Sequence, residues 1–193
     1  MRSVSVIISI VLSILGTISS NEIYEIAPGA TFKSPDSNYI AKTVGGGLIP
    51  ATDRIVILNA NTGVEEVSVD VKPPVYSLVW TGDSKNVVAV SHIAGGTVAG
   101  IIHHSADGWK QYSADPREGD KYKVIRLTVQ HDTLELTYKI MTAHSDNSSP
   151  SFYLYTFVFD PKTTAHLREK RHAIDGETYS RLKPEAATVE GRD

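Results

Sequence analysis

A strand–turn–strand pattern that occurs three times along the chain constrains its fold more than any other feature. Each turn and the strand after it occupy residues 34–41, 81–90 and 130–137, so the copies lie 47 and 49 residues apart. Pro, Gly, Asp and Ser fill the turn positions of the first two copies, where Pro presets φ and the polar side chains bond nearby backbone amides. An apolar run follows each turn. The pattern therefore predicts a series of small, similar units of β-structure.

Each unit contains two further strand-like runs joined by a hairpin turn. The turns at 61–63 and 106–108 contain the Gly or Asn that takes positive φ at little steric cost. The runs beside these turns, and beside a third turn at 160–163, are 54–58, 64–69, 98–103, 109–112, 153–159 and 165–173. Helical periodicity is absent after residue 20. The sequence therefore predicts an all-β fold of about twelve short antiparallel strands, four in each of three units.

The repeat resembles that of a known fold family. Two segments are similar to the repeats of TolB-type and WD-repeat-like β-propellers: Ser34-Pro35-Asp36-Ser37 with the strand at 39–41, and Ile-Val-Ile-Leu-Asn-Ala-Asn-Thr-Gly at 55–63. The resemblance covers residues 28–115 and, more loosely, 122–173, and it implies three propeller-like four-stranded blades. It implies nothing about function, and the Trp-Asp pair typical of WD repeats is missing at both tryptophans. A plain antiparallel β-sandwich with similar turns is the alternative.

The first 20 residues have the order of a secretory signal peptide. Arg2 gives a basic start, an apolar run follows over 4–18, and Ser19 and Ser20 supply small residues for a peptidase. The apolar run is shorter than the roughly 20 residues that a membrane span needs. We therefore expect cleavage after Ser19 or Ser20, a secreted or periplasmic protein, and no stable membrane span after cleavage. An uncleaved anchor is the alternative.

The composition of the chain argues against some classes of partner and some kinds of active site. A formal net charge of −3 with 41% apolar residues is typical of an ordinary globule and gives no reason to expect nucleic acid as a partner. The lack of cysteine removes disulfides, thiolate metal sites and cysteine nucleophiles. The sequence has no glycine-rich phosphate loop between a strand and a helix, and no G-x-S-x-G nucleophile elbow. We therefore expect no cofactor and name no catalytic residue.

The histidines and aspartates do not predict a metal site. His103 and His104 are adjacent on a predicted strand, so their side chains point to opposite faces. A pair formed by His92 and His104 across a hairpin lacks a third ligand. Aspartates recur at equivalent places in the three units, which indicates a shared structural role; they are Asp36, Asp83 and Asp132.

The connections between the second and third strands of the units are the candidate binding surface. They lie at 45–50, 92–96 and 142–151, and in a propeller they would share one rim, where loops on a rigid sheet carry recognition. Permissive turns without a function are the alternative. The candidate binding residues are His92, Gly95, His144, Asp146 and Asn147.

Three blades leave the outer faces of the first and last units uncovered. These faces are expected to be apolar, because each blade of a ring buries both sides, and exposed apolar faces and free strand edges favour association. Either two chains close a six-bladed ring, or the stack is capped by its ends. The basic run at 168–172 indicates a solvated edge strand. Residues 176–193 predict a flexible polar tail after a β domain at 21–175.

These features predict binding more readily than a reaction. The leading hypothesis is an exported, non-enzymatic binding or scaffold module that acts through its inter-strand loops or exposed blade faces. Its partner is another protein or a second copy of the chain. The alternative is an extracytoplasmic hydrolase or lyase of a propeller family that acts on sugar or peptide. That alternative needs carboxylates or histidines converging from several blades.

Overall fold

The computed structural model describes residues 26–45, 52–93, 96–116, 121–130, 133–144, 148–185 and 187–190, and the expected leader at 1–20 lies outside these ranges. Thirteen strands and one short helix, α1 (Gly176–Arg181), form within them. The strands are β1 (Thr31–Lys33), β2 (Tyr39–Val44), β3 (Arg54–Asn59), β4 (Glu65–Asp70), β5 (Val75–Trp80), β6 (Asn86–Ile93), β7 (Gly96–Ser105), β8 (Gly108–Ala114), β9 (Lys121–Gln130), β10 (Thr133–Thr142), β11 (Ser151–Asp160), β12 (Ala165–Ile174) and β13 (Thr188–Glu190). The prediction of an all-β fold is confirmed.

Twelve of the strands form three consecutive antiparallel meanders. The first meander is β1–β4, the second is β5–β8 and the third is β9–β12. Within each meander, every strand pairs antiparallel with the next strand of the chain. These are the three four-stranded units that the repeat predicts. Their arrangement as blades around an axis is a separate hypothesis.

The second meander has a hydrophobic core on each of its faces. Successive residues of a strand point to opposite faces, and along β6 Val88 and Val90 enter one core while Val87 and Ala89 enter the other. The core shared with the third meander contains Val124, Leu127, Val129, Leu134, Leu136, Tyr138, Ile140, Tyr155, Phe157 and Phe159. The core shared with the first meander contains Ala41, Ile55, Ile57 and Val69. The meanders are therefore stacked face to face in three layers, unlike a two-layer sandwich.

A short parallel pairing joins the second and third meanders into one nine-stranded sheet. Gly96 pairs with Tyr122 and Thr97 with Lys123, whereas residues 99–105 on the same edge of β7 pair with β8. Gly96 has a φ of 145°, and a Cβ at this position would overlap the carbonyl oxygen of Tyr122. Glycine therefore allows the two backbones to approach this closely. Because the pairing is so short, the two meanders diverge and pack face to face.

The turns before β2 and β6 share one hydrogen-bonding pattern. The Ser34 hydroxyl donates to Asp36 Oδ1 at 2.7 Å and accepts from the backbone N–H five residues later at 2.9 Å. The Thr81 hydroxyl likewise donates to Asp83 Oδ1 at 2.6 Å and accepts from the backbone N–H five residues later at 3.1 Å. The shared structural role of the recurring aspartates is thus observed in two meanders. Asp132 lies outside the described residues.

Polar contacts also connect neighbouring meanders. The indole Nε1–H of Trp80 donates to the carbonyl oxygen of Phe32 at 2.8 Å, which connects the second meander to the first. The Tyr112 hydroxyl donates to the carbonyl oxygen of Pro161, which connects the second meander to the third. Burial raises the pKa of Tyr112 to about 12, so its hydroxyl stays protonated at neutral pH. Each interface of the stack therefore combines an apolar core with a directional bond.

The segment expected to be a flexible tail is folded against the third meander over residues 176–185 and 187–190. The Asp175 carboxylate caps α1 by accepting from the N–H of Thr178 at 2.7 Å. Tyr179 packs on Phe152, with ring centroids 4.8 Å apart. β13 then pairs in parallel with β9. A helix this short is unstable alone, so tertiary contacts with residues distant in the sequence stabilise it.

The outer face of the third meander is mainly charged and polar, which corrects the expectation of an apolar face there, whereas the outer face of the first mixes Lys42 with the aliphatic residues Ile40, Val56 and Leu58. Residues directly opposite each other on paired strands share a face. An outer row of the first meander consists of Lys42, Val56 and Ser68. An outer row of the third consists of Arg126, Thr137, Thr156 and Lys170. Burying the charges of the third meander between two copies carries a large desolvation cost, so this face favours a stack capped by its ends over a six-bladed ring.

Candidate functional site

An open groove of about 530 Å³ crosses the outer face of the third meander. Alternation along β10 and β11 places Leu136 and Phe157 in the core, so Glu135 and Thr156 lie on the outer face. The walls and floor of the groove come from β10, β11 and β12. Its lining residues are Glu135, Thr156, Phe157, Val158, Arg168, Glu169, Lys170 and His172.

Strand register arranges the polar groups of the groove in rows. In one row, Arg168 Nη2 lies 3.6 Å from Glu135 Oε2 across β11. In the next row, Lys170 stands opposite Thr156, whose hydroxyl lies 3.0 Å from that of Thr137. The Arg168 side chain is 74% exposed, and ion pairs exposed to this degree contribute only about 0–1 kcal/mol. Arg168 can therefore engage a ligand at little cost to the fold.

β12 forms one wall of the groove and the end of its sheet. It pairs with β11 on one side and, among the residues that the structure describes, is the last strand in the sheet order; its residues 167–173 are exposed. Arg168, Lys170 and His172 occupy alternate positions, so they share the outer face at intervals of about 7 Å. The chain as a whole carries a net charge of −3. This row is therefore a basic patch on a protein whose net charge is negative.

The C-terminal segment covers the far end of the same face. Lys139 Nζ donates to the carbonyl oxygens of Tyr179 at 3.1 Å and Leu182 at 2.8 Å, at the C-terminal end of α1. A lysine placed there satisfies carbonyl groups that the helix leaves unpaired. Burial lowers the pKa of Lys139, and the neighbouring charge of Lys123 lowers it further. Lys139 is thus committed to holding α1 in place.

An arginine on the same face is also engaged by the C-terminal segment. Arg126 donates from Nε and Nη2 to the two carboxylate oxygens of Glu185 at 2.9 and 3.0 Å. This two-pronged geometry is the strong form of an ion pair. The hydrogen bond raises the pKa of Arg126 and lowers the pKa of Glu185. The charge of Arg126 is therefore balanced within the chain, whereas Lys170 and His172 face the groove.

Two of the five loop residues selected from the sequence lie in the described part of the chain. His92 is exposed on β6, and its backbone N–H donates to the carbonyl oxygen of Pro74 at 3.2 Å. His144 is exposed after β10, with its Nε2 2.8 Å from Ser151 Oγ. The other three, Gly95, Asp146 and Asn147, lie outside the described residues. Binding by these loops stays a prediction.

The remaining histidines of the second meander lie in separate surroundings. His103 Nδ1 lies 2.7 Å from Asn86 Oδ1, and burial lowers the pKa of His103. His104 points to the opposite face and stacks on Trp109, with ring centroids 4.5 Å apart. His92 lies at the other end of the β6–β7 hairpin from His104. Within the described ranges, no three His, Asp or Glu side chains are grouped so as to hold a metal ion.

Some residues of the groove can be identified from the sequence, and others cannot. The basic run at 168–172 predicts a solvated edge strand, and β12 is an edge strand. The alternation of Arg168, Lys170 and His172 is visible in the sequence and could have marked one face of that strand. Glu135 and the threonine hydroxyls reach the same groove through strand register, which single-sequence patterns do not supply.

Among the residues that the structure describes, no helix has the length and apolar character that crossing a bilayer requires. No protein-family model matches the chain, and no curated protein matches it. No specific family is therefore shown.

Several solved structures share a distant likeness with the chain. Pyrococcus horikoshii acylaminoacyl peptidase has 10% identity and a TM-score of 0.49, over 76% of this chain and 25% of its own. Kuenenia stuttgartiensis hydrazine synthase has 9% identity and a TM-score of 0.36, over 82% of this chain and 53% of its own. Kluyvelomyces marxianus Hsv2 has 12% identity and a TM-score of 0.35, over 75% of this chain and 47% of its own. The chain thus spans about half or less of these structures. At such scores the likenesses carry no argument about its fold or activity.

Proposed function

We propose that this chain is an exported, non-enzymatic binding module, and that its partner-binding surface is the groove of the third meander and the exposed edge strand β12. The observation that carries the proposal is the row of Arg168, Lys170 and His172 on an exposed edge strand beside an open groove. Two buried cores hold the stack that presents this row. A surface that is already in place binds a partner without a large ordering cost.

The size of the surface suits a protein partner. β12 has 10 residues, which corresponds to about 33 Å of extended edge. The groove beside it offers ionic, hydroxyl and apolar contacts from Lys170, Thr156 and Val158. Interfaces that are not permanent typically combine such polar and apolar contacts.

Site-specific photo-crosslinking tests the surface. A photoreactive phenylalanine analogue replaces Val158, which lines the groove, in one protein and Ser68, on the outer face of the first meander, in the matched control. In extract of the host's envelope or medium, we expect partner adducts at position 158 and none at position 68. An excess of unmodified chain should suppress these adducts, whereas the double variant Arg168→Glu, Lys170→Glu should not.

Two results would overturn this assignment. Equal adducts at positions 68 and 158, or equal competition by the double variant, would remove the surface from consideration. An adduct with twice the mass of the chain would instead assign the face to a second copy.

The stack is further proposed to be an open, propeller-like array of three blades. Face-to-face packing of four-stranded meanders and the repeated turn support this arrangement. An experimental structure tests it through the rotations that relate one meander to the next. Two successive rotations of similar size and direction are expected, and unrelated orientations would contradict the proposal.

Export is proposed from the N-terminal sequence. Intact-mass measurement of the protein recovered from its host should show a chain beginning at Ser20 or Asn21. A chain that retains Met1 or Arg2 after fractionation would contradict signal-peptide cleavage.

A further inference from the structure

We infer that the partner presents an extended acidic segment, and that this segment pairs with β12 as an additional strand while its carboxylates face Arg168, Lys170 and His172. The inference rests on the proposed function and names the chemistry of the partner at that same surface. It follows from the edge, the spacing and the charge of β12.

The edge supplies the backbone contacts. A strand at the end of an antiparallel sheet has one hydrogen-bonded neighbour, so every second residue directs its backbone N–H and C=O groups outward. An extended segment can use such an edge to gain a ladder of main-chain hydrogen bonds. β12 is exposed for most of its length, and the described C-terminal segment packs instead at β9 and Phe152.

The spacing of the basic residues determines the sequence pattern expected in the partner segment. Arg168, Lys170 and His172 recur every second residue, about 7 Å apart. Side chains on one face of the partner strand have the same spacing, so acidic residues at its alternate positions stand opposite this row. Glu135 already neutralises part of the charge of Arg168. The strongest match is therefore at Lys170.

The charges also discriminate against a second copy. If two β12 strands pair antiparallel around a twofold axis, residues of the same face meet. Lys170 then faces its own counterpart, or Arg168 faces His172 or Lys170, depending on the register. Like charges directly opposite each other destabilise a strand pair. On the outer face the basic residues therefore disfavour self-pairing and favour an acidic strand, which combines repulsion of the wrong partner with attraction of the right one.

The test uses a synthetic ten-residue peptide of alternating Thr and Glu, capped at both ends, to match the 10 residues of β12. One control peptide carries Gln in place of Glu. A second carries N-methyl groups on alternate backbone amides, which removes half of its hydrogen-bond donors. Binding to the mature chain is measured by fluorescence anisotropy at low ionic strength. The exchange rates of the β12 amides are followed by NMR.

We expect the acidic peptide to bind about tenfold more tightly than the Gln peptide, as several exposed ion pairs of up to about 1 kcal/mol each allow. N-methylation should weaken binding by a similar factor. Lys170→Glu should weaken binding at least as much, and Lys170→Gln less. Lys42→Glu, on the outer face of the first meander, should leave binding unchanged. Amide exchange should slow in β12 and stay unchanged in β2.

Each contrary result has a distinct meaning. Equal binding of the Gln peptide would overturn the acidic partner, and equal binding of the N-methylated peptide would overturn strand pairing. Loss of all peptide binding, with the photo-adducts at position 158 intact, would overturn this inference and leave the proposed function standing. Loss of both would overturn the two together. Tighter and more salt-dependent binding of single-stranded DNA or a sulfated polysaccharide would assign the row to a polyanion instead.

Discussion

The backbone N–H of Asp36 donates to the hydroxyl of Ser84 at 2.9 Å, so the turn of the first meander is bonded directly to the turn of the second. The two residues lie 48 positions apart, nearly one repeat. Asp36 uses its carboxylate to organise its own turn, where Oδ1 also accepts from the N–H of Asn38 at 3.0 Å. The turn motif therefore has a local role and a role between units.

Ser84→Ala should destabilise the protein by about 1 kcal/mol relative to Ser37→Ala, because it leaves the N–H of Asp36 without its acceptor. Ser37 occupies the equivalent place in the first turn, and both serines hold positive φ, at 66° and 60°. The backbone strain of alanine is therefore similar in the two variants. Urea unfolding with a common m-value measures the difference. Equal midpoints would show that the bond between the turns contributes nothing.

Asp36→Asn should remove a stabilisation that depends on pH. Burial alone would raise the pKa of Asp36, but hydrogen bonds from Ser34 and Asn38 outweigh it and hold the pKa below its ordinary value of 3.8. A carboxyl group with a lowered folded-state pKa stabilises the fold above 3.8 and loses this effect as pH falls through the folded value. Wild type should therefore exceed Asp36→Asn in stability at neutral pH and approach it well below pH 3.8.

Urea midpoints at several pH values measure this difference. Asp107→Asn controls for the loss of one carboxylate from a turn inside a single meander, where the exposed pair with Lys110 is expected to contribute little. A gap between wild type and Asp36→Asn that persists at the lowest pH would contradict the role of the charge.

Tyr138→Phe should cost about 1–3 kcal/mol, the penalty for leaving buried polar groups unpaired. The Tyr138 side chain is fully buried. Its hydroxyl donates to the carbonyl oxygen of Ala114 at 2.6 Å and accepts from the N–H of Ala99 at 3.2 Å. Tyr179→Phe is the matched control, because the Tyr179 side chain packs through its ring. Calorimetric melting should show a much larger loss for Tyr138→Phe, and equal losses would contradict the role of the hydroxyl.

Asp175→Ala should loosen the C-terminal cover without unfolding the stack. Loss of a helix N-cap costs about 1 kcal/mol, which corresponds to roughly fivefold more local opening. Trypsin should therefore cleave after Arg181 about five times faster, while the melting of the two cores changes little. Glu177→Gln is the control, because its pair with Arg181 joins side chains that are 79% and 72% exposed. Equal cleavage of the two variants would contradict capping by Asp175.

The strands and two of the turns could be predicted because their signals are local. The boundaries of β5 follow from an apolar run between a Pro-Pro pair and a Thr-Gly-Asp turn. The third turn differs, since β9 ends at Gln130 and β10 begins at Thr133. Two residues therefore separate these strands, whereas five separate β5 from β6. Repeated strands therefore do not require repeated turns.

The outer faces and the groove could not be predicted in the same way. Which face of a strand is covered depends on the neighbour that packs on it. The sequence does not show that Tyr179 lies over Phe152 or that Glu185 binds Arg126. These contacts join residues far apart in the chain, so the sequence alone does not show that the C-terminal segment covers charged groups of the third meander. Lys170 lies on the part of this face that the described C-terminal segment does not cover.

The second meander packs against a hydrophobic core on either side, shown by the alternation of Val87 and Val88 between two cores. A duplicated copy of this unit would find matching apolar surface above and below it. A duplicated end unit would instead trap charges such as Lys42 or Lys170 against its neighbour. If such an array lengthens during evolution, we therefore expect new units to be inserted in the middle. Both terminal units should stay at the ends of the stack.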